Sequence, residues 1–421
     1  MAAAPYPSPS YWLDRLWSRE GHVEYPPLEG PAAADVAIIG GGITGVSLAY
    51  WLARDGLQPL LLESRTIAGG ASGRNAGFVT ASTAEGYGTV IDRFGREAAR
   101  RLWAFSGANG ASVRGIVEEH RLRDVGFGPI DAVSLAASED ELAAIQGGAR
   151  LLIEDGWPVE LLRQDDLPPG LRRGYFGGAL RHGNAEVNPA GFVNALAAVA
   201  ASLGARICER TSVTGWREAD RGVLLSTAFG GEVRAGIAVL ATNALAPLLA
   251  PELSITPQRG QVLATEPLPV RLCDWLCGAD WGYQYWHQLP DNRLIAGGWR
   301  NLAFAEEEAR ATAELPTDTV QAGIDSLLRD VYGLRDPLPV THRWGGTMGF
   351  TPDALPFAGP LSGSTVRYAA AGFTGHGNGM APQIARLVAD LIQGRPSPDA
   401  ALFAVGRPLR RDERVAAPFT H

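Results

Sequence analysis

The sequence predicts an α/β fold, with a parallel strand–helix–strand unit near its N-terminus and an antiparallel sheet further along. Three observations lead there. "DVAIIG", starting at Asp35, is a short β-branched run that passes straight into a glycine-rich turn and a helical pattern. Near the C-terminus, "YAAAGFTGHGNGMAPQIARLVADLIQG" repeats the succession of strand, glycine-rich turn and amphipathic helix. Between them, "WGYQYWHQLPDNRLIAGGWR" reads as a hairpin with "PDN" at its turn.

The chain has 421 residues, enough for roughly two to three domains with an ample core. With 46% hydrophobic and 19% charged residues its composition is globular. A net charge of −8 gives no general attraction to nucleic acid or to an anionic membrane. No apolar run approaches ~18 residues, so no spanning helix is expected. The first residues lack a basic segment followed by a long apolar one, so no signal peptide is expected and the protein should be cytoplasmic. Of the three cysteines, Cys208, Cys273 and Cys277, no set has zinc-site spacing; reduced thiols and no metal are the expectation. There is no lysine: all 37 basic residues are arginine, which excludes Schiff-base chemistry and a lysine general base.

The N-terminal unit is Rossmann-like. Gly40, Gly42 and Gly45 form G-x-G-x-x-G, and Ile43 and Thr44 open the helix that follows. Gly40 permits the tight turn, Gly42 the approach of a pyrophosphate, and Gly45 close packing of helix on strand. The helix N-terminus adds about half a positive charge facing the phosphates. "PLLLE" supplies the next strand, with Glu63 at its end to accept from a ribose, followed by Ser64 and Arg65. Then comes a second glycine-rich run, "RTIAGGASGRNAGF", containing Gly70, Ala71, Ser72, Arg74, Asn75, Ala76 and Gly77, with Ser72, Arg74 and Asn75 as donors to a ligand there. A backbone nearly bare of side chains suits a cofactor that extends further than a nicotinamide dinucleotide, and FAD is the expectation.

These motifs, with "NPAGFVNALAAVAASLGARICERTSV", "PQRGQVLATEPL" and "RWGGTMGFTPDALPFAG", resemble the FAD-dependent amine and amino-acid oxidoreductases of the D-amino-acid oxidase superfamily. The branch most resembled holds glycine oxidase, sarcosine oxidase and γ-glutamylputrescine oxidoreductase. The matching segments run from Asp35 to Ile392. The resemblance implies a Rossmann-like FAD-binding domain, residues 31–86, 183–250 and 341–421. It is interleaved with an α+β substrate domain on an antiparallel sheet, residues 87–182 and 251–340. Residues 1–30 read as an N-terminal arm packed on the body, for which the residues themselves indicate no site role. It also implies that Val213 meets the adenine side and that Thr242 and Asn243 pass the pyrophosphate. Gly372, Phe373, Gly375, His376, Gly377, Asn378 and Gly379 would lie at the flavin pyrimidine edge.

In the substrate domain, strand alternation sets Trp281, Tyr283, Tyr285 and His287 on one face and Gln284 and Trp286 on the other. The aromatics are either core or a wall that holds an amine, partly by cation–π contact. The implied reaction passes a hydride from an amine C–H bond to flavin N5, and water hydrolyses the resulting imine. A substrate carboxylate would need an arginine fork, for which Arg300 and Arg343 are the candidates. His376, Tyr283 and Tyr285 complete the expected catalytic set. No cysteine follows Cys277, and Arg74 stands where some relatives carry a flavin-linking histidine, so non-covalent FAD is expected. The missing lysine leaves oxygen to another cation, His376 or an arginine, or to a different acceptor. The alternatives are a dehydrogenase feeding a quinone or carrier protein, and a non-catalytic flavoprotein subunit. The expected partners are a small amine or amino acid and an electron acceptor; substrate identity and oligomeric state are not legible.

Overall fold

A computed structural model describes residues 9–20, 22–220, 222–309 and 314–409. The first eight residues of the expected arm and residues 410–421 of the expected FAD-binding domain lie outside the described residues. The principal elements begin with α1 (Tyr11–Trp17), β1 (Ala32–Ile39), α2 (Ile43–Arg54), β2 (Pro59–Leu62), α3 (Tyr87–Phe94), α4 (Arg96–Glu119), β3 (Ala132–Leu135) and α5 (Glu139–Glu154). Then follow β4 (Val159–Arg163), β5 (Gly177–Arg181), α6 (Pro189–Ser202), β6 (Arg206–Cys208), β7 (Val213–Ala219), β8 (Gly222–Thr227), β9 (Glu232–Leu240) and β10 (Thr256–Pro267). The last are β11 (Leu276–Ala279), β12 (Gln284–Gln288), β13 (Arg293–Gly298), α7 (Asp318–Ser326), β14 (Val340–Phe350), β15 (Phe357–Pro360), β16 (Arg367–Ala371) and α8 (Gly377–Ile392).

The first sheet runs β7–β8–β9–β1–β2–β6, with β16 added on β9 and β15 on β16. Its heart is parallel: Ile38 stands opposite both Val239 and Leu61. Helices cover that heart, so Val36 to Ile39 read as an unbroken apolar run and all four are buried. Leu48 and Leu52 of α2, Phe192 and Leu196 of α6, and Ile384 and Val388 of α8 share one core cluster. The signals read at α6 are the ones in use: Asn188 Oδ1 accepts from Gly191 N at 3.0 Å, Pro189 is the first helical residue, and Gly204 ends the turn at φ +105°.

The second sheet runs β14–β10–β13–β12–β11–β3–β5–β4 and is antiparallel except between β11 and β3. One face forms a core of Leu263, Trp286, Ile324 and Leu328. Two boundaries differ from the sequence reading. Strand β14, expected in the FAD-binding domain, pairs with β10 from Thr256–Phe350 to Thr265–Val340 and belongs to the antiparallel sheet. Helix α4, expected in the substrate domain, is tied to α8: Asn109 Nδ2 donates to Asn378 O at 2.9 Å and Ser106 Oγ to Gly379 O at 3.0 Å. A domain boundary drawn between motifs follows the sequence, whereas these elements follow the hydrogen-bonding partner that folding brings to them.

The hairpin forms with its turn at "PDN", but its first strand is shorter than expected. Asp280 and Trp281 take φ of 51° and 55°, and Tyr283 is still in the turn, so only Tyr285 and His287 share a strand face. The cause is tertiary: the Glu141 carboxylate, buried in α5, accepts from Trp281 N at 2.6 Å and from Ala137 N at 2.7 Å. Among the described residues no helix is long and apolar enough to cross a membrane, and no cluster of metal-ligating side chains is found.

Candidate active site

A cavity of about 1000 Å³ lies between the two sheets. Its first part is a cradle of backbone. Gly40 sits at φ +113°, and a Cβ there would come 2.7 Å from Ala241 O. A Cβ on Gly45 would come 1.9 Å from Gly40 O, so helix and turn can close only on glycine. Gly45 itself is not at the cavity wall, which Gly40, Gly42, Ile43 and Thr44 supply. Glu63 is held at the end of β2, accepting from Gly41 N at 2.6 Å and Arg65 N at 2.7 Å. Glu63, Ser64, Arg65 and Val213 line the adjoining wall.

The second glycine-rich run is fastened to this cradle. Ser72 Oγ accepts from Ile43 N at 2.8 Å, and Gly70, Ala71, Ser72, Arg74, Asn75 and Ala76 all reach the cavity. Gly77 does not reach it; its φ of +82° lets the chain pass Val187 O, which a Cβ would approach to 2.3 Å. Arg74 and Asn75 were expected as donors to a ligand, but protein partners occupy them. The buried Arg74 guanidinium pairs with Glu314 at 2.9 Å, and Asn75 Nδ2 donates to Ala71 O and Ser72 O. Asn75 Oδ1 accepts from Gly77 N at 2.8 Å and Asn378 Nδ2 at 2.9 Å, joining this loop to α8.

The N-terminal arm packs on the body, as expected, and it does so against this loop. Trp12 Nε1 donates to Asn75 O at 2.8 Å, Ser10 Oγ donates to Gly73 O, and Leu13 fills the space beside Gly73. Trp344 Nε1 donates to Arg74 O at 2.8 Å from the other side. The loop is gripped by side chains more than 60 residues before it and 270 after it.

At the far end, Asn243 Oδ1 accepts from Gly372 N at 3.0 Å and Phe373 N at 3.3 Å, and Thr242 and Asn243 line the wall. Gly372 stays behind the wall at φ +83°, where a Cβ would meet Thr351 at 2.5 Å. Phe373, Gly375, His376, Gly377, Asn378 and Gly379 face the cavity where α8 begins, with no side chain capping that helix end. His376 has its pKa pushed down to about 4, first by burial and then by the nearby positive charge of Arg181. It is therefore neutral at pH 7 in this setting.

Beyond α8 the cavity opens beneath the second sheet, where Tyr283, Tyr285 and Arg300 are brought together. Tyr285 lies over Gly297, and burial pushes its phenol up to about 12. Arg300 is buried with its guanidinium 4.8 Å from the ring centres of both Tyr283 and Phe350, and it donates to Gln258 Oε1. Arg343 is not part of this group. It is on the opposite side of its strand from Trp344, paired with Asp325 at 2.8 Å and Gln321 at 2.7 Å, so it is withdrawn as a cavity fork. His287 also turns to a protein partner, Glu186, at 3.0 Å. The three cysteines are buried and none lines the cavity; Cys273 and Cys277 have their sulfurs 3.2 Å apart in the second core.

Sequence reasoning missed Arg181, Glu141 and Met348, all at the cavity wall. No local pattern marks them, because distant segments bring them to the wall: Arg181 through β5 against Ala132 and Val159, Met348 through β14 against Gln258, and Glu141 from α5 through its bond with Trp281 N.

The glycine cradle, the carboxylate at the end of β2 and the uncapped helix end fit an extended dinucleotide such as FAD. The comparisons agree. The family profile described as "FAD dependent oxidoreductase" matches residues 35–391. The γ-glutamylputrescine oxidoreductase of Escherichia coli is 26% identical over 396 residues, 90% of this chain and 88% of that protein. The glycine oxidase of Geobacillus kaustophilus is 26% identical over 388 residues, 89% of this chain and 97% of that protein. The crystal structure of glycine oxidase from Geobacillus kaustophilus superimposes with a TM-score of 0.77 at 24% identity, covering 90% of this chain and 99% of that one.

Proposed function

Since this chain belongs to the DAO family of FAD dependent oxidoreductases, we propose that it oxidises a primary or secondary amine, or an amino acid, to an imine that water hydrolyses. One observation carries this reading: the cradle that suits FAD continues, in the same cavity, into a chamber walled by Tyr283, Tyr285, Met348 and Phe350. The relatives, a γ-glutamylputrescine oxidoreductase and glycine oxidases, support the same substrate class.

When bound, FAD supplies a flavin that accepts the hydride of an amine C–H bond. The chain's own residues prepare that event. Bringing an amine of pKa ~10.4 to its neutral form at pH 7 costs about 4–5 kcal/mol. Walls of aromatic rings strip water from the ammonium and reduce that cost without a dedicated base. The tyrosines are not such a base, because burial raises the pKa of both Tyr283 and Tyr285. Neutral His376, with Nδ1 unpartnered, can accept a hydrogen bond from the amine and so orient it. The uncapped N–H groups of α8 begin at the cavity wall, where they would stabilise negative charge on a bound flavin. We assign FAD to non-covalent binding, since all three cysteines lie away from the cavity. Oxygen is the proposed acceptor.

The test is the visible spectrum of the purified protein, titrated anaerobically with glycine, sarcosine, D-amino acids, proline and polyamines. Bands near ~375 and ~450 nm, released by acid precipitation and bleached by one of these amines, are the expected result. A flavin that none of them bleaches overturns the reading. Hydrogen peroxide release on readmitting air supports oxygen; its absence moves the acceptor to a quinone or carrier protein.

A further inference from the structure

The core under the second sheet contains a pair of thiols that the proposed reaction does not use. Cys277 is fully buried in β11, opposite Trp286 of β12 and Val133 of β3. Cys273 precedes that strand in an irregular segment, and its sulfur comes 3.2 Å from that of Cys277. The approach is held from outside the pair. The buried amide of Gln288 in β12 accepts from Leu272 N at 2.5 Å and Cys273 N at 3.2 Å, and it donates to Val270 O at 3.0 Å. Tyr332, which accepts from Trp286 Nε1 at 2.6 Å, is within hydrogen-bonding reach of Cys273. The third thiol, Cys208, lies in a different core.

The two thiols of the pair differ in acidity. A hydrogen bond from Cys277 pulls the Cys273 thiol below its ordinary value, whereas burial pushes the Cys277 thiol well up. Cys273 is the readier thiolate, and therefore the nucleophile, while Cys277 keeps its proton. Burial also pushes the Cys208 thiol up, and no second sulfur assists it.

We propose that Cys273 and Cys277 are a modification site, a dithiol that hydrogen peroxide oxidises to an intramolecular disulfide. The Cys273 thiolate attacks one peroxide oxygen and the O–O bond breaks. The hydroxide that leaves takes up the proton Cys273 gave up and becomes water. The sulfur of Cys277 then attacks the Cys273 sulfenic acid, and its proton departs with the sulfenic oxygen as a second water. Two electrons and two protons thus pass from the thiols to the peroxide, and one S–S bond replaces two S–H bonds. A closing of about 1 Å brings the sulfurs to bonding distance. That movement falls on Cys273, because Cys277 is locked between two strands. Leu276 and Gly278, on either side of Cys277, line the cavity, so peroxide formed there arises beside the strand that carries the pair. This source rests on the proposed use of oxygen, whereas the chemistry of the pair does not.

The experiment treats the FAD-loaded protein with hydrogen peroxide, alkylates the remaining thiols under denaturing conditions and maps the tryptic peptides. Because the chain has no lysine, cleavage at Arg271 and Arg293 leaves Cys273 and Cys277 together on one peptide without Cys208. That peptide is expected to lose the mass of two hydrogens and escape alkylation, about tenfold faster than Cys208 reacts, with the flavin spectrum unchanged. In Cys277→Ala the reaction should stop at a Cys273 sulfenic acid that dimedone traps, and in Cys273→Ala the remaining thiol of the pair should stay unreacted. Alkylation of all three thiols, oxidation of Cys208 at the same rate, a disulfide that forms only after flavin is lost, or dimedone trapped on Cys277 overturns the proposal. A disulfide formed by added peroxide, but not during turnover in air of an amine that bleaches the flavin, supports the site and removes oxygen as the acceptor.

Discussion

At the scale of single residues, the site is built by side chains whose charges are mostly spent on the protein itself. Asn75 and Arg74 are read from sequence as donors to a ligand, yet each is consumed in fastening the loop that carries it. Glycines are read more securely, because the space around Gly40 and Gly45 depends on the local strand–turn–helix and little else. The protonation of His376 lies at the opposite extreme, since it comes from depth in a cavity and from Arg181, 195 positions earlier in the chain. That protonation has a measurable consequence. The folded protein holds His376 near 4, below the ordinary value of 6.5, so between those pH values the unfolded chain binds a proton the native one does not. Stability from this group is therefore complete above pH 6.5 and is lost as pH falls towards 4, by roughly 3 kcal/mol at most. Denaturant unfolding of FAD-free protein at pH 7 and pH 4.5 should show the loss, and His376→Gln should shrink it. Equal pH dependence in variant and wild type would show that the histidine is charged in the fold.

At the scale of elements, the parallel strands, α2, α6 and α8 were legible because each is terminated by its own chemistry: a glycine turn, an Asn–Pro start, a glycine stop. The boundaries that shifted lack such marks. Strand β14 follows β10, helix α4 follows α8, and the first strand of the hairpin starts late because Glu141 captures the amide of Trp281. Helix α1 is the instructive case. Capped by Ser10, it buries Tyr11, Trp12, Leu13 and Leu16 against a surface that its sequence does not announce. In the fold it is a clamp on the second glycine-rich run, through Trp12 to Asn75 O and Leu13 against Gly73. Trp12→Phe keeps an aromatic ring beside Tyr11 and removes the N–H, which should weaken FAD binding by about 5–10-fold, the ordinary worth of one such bond. Far-UV circular dichroism should be unchanged. Equilibrium binding of FAD to apoprotein reads the effect directly, and an unaltered dissociation constant would reduce α1 to packing.

At the scale of the whole molecule, the cavity is a seam between two sheets, lined by segments from Ile39 to Gly379. The glycine-rich motifs at its two ends were visible in the sequence because they are contiguous. Its middle was not, because Arg181, Glu141 and Met348 lie on strands and a helix that become neighbours only when β3, β5, β10 and β14 pair. The same geometry fixes how the cofactor acts on stability. FAD held along such a seam would touch the cradle of the first sheet and the face of the second, so unfolding either one would release it. Binding to the native state alone stabilises by RT ln(1 + [FAD]/Kd), about 4 kcal/mol at a thousandfold excess over Kd. Spread over the unfolding entropy of a chain of roughly 400 residues, that raises Tm by about 5 °C. Scanning calorimetry of the protein with graded FAD should show the transitions of both sheets moving upward together by that amount. A transition that stays fixed while another climbs would mean that one sheet melts without disturbing the cofactor, and would confine FAD to the cradle of the other.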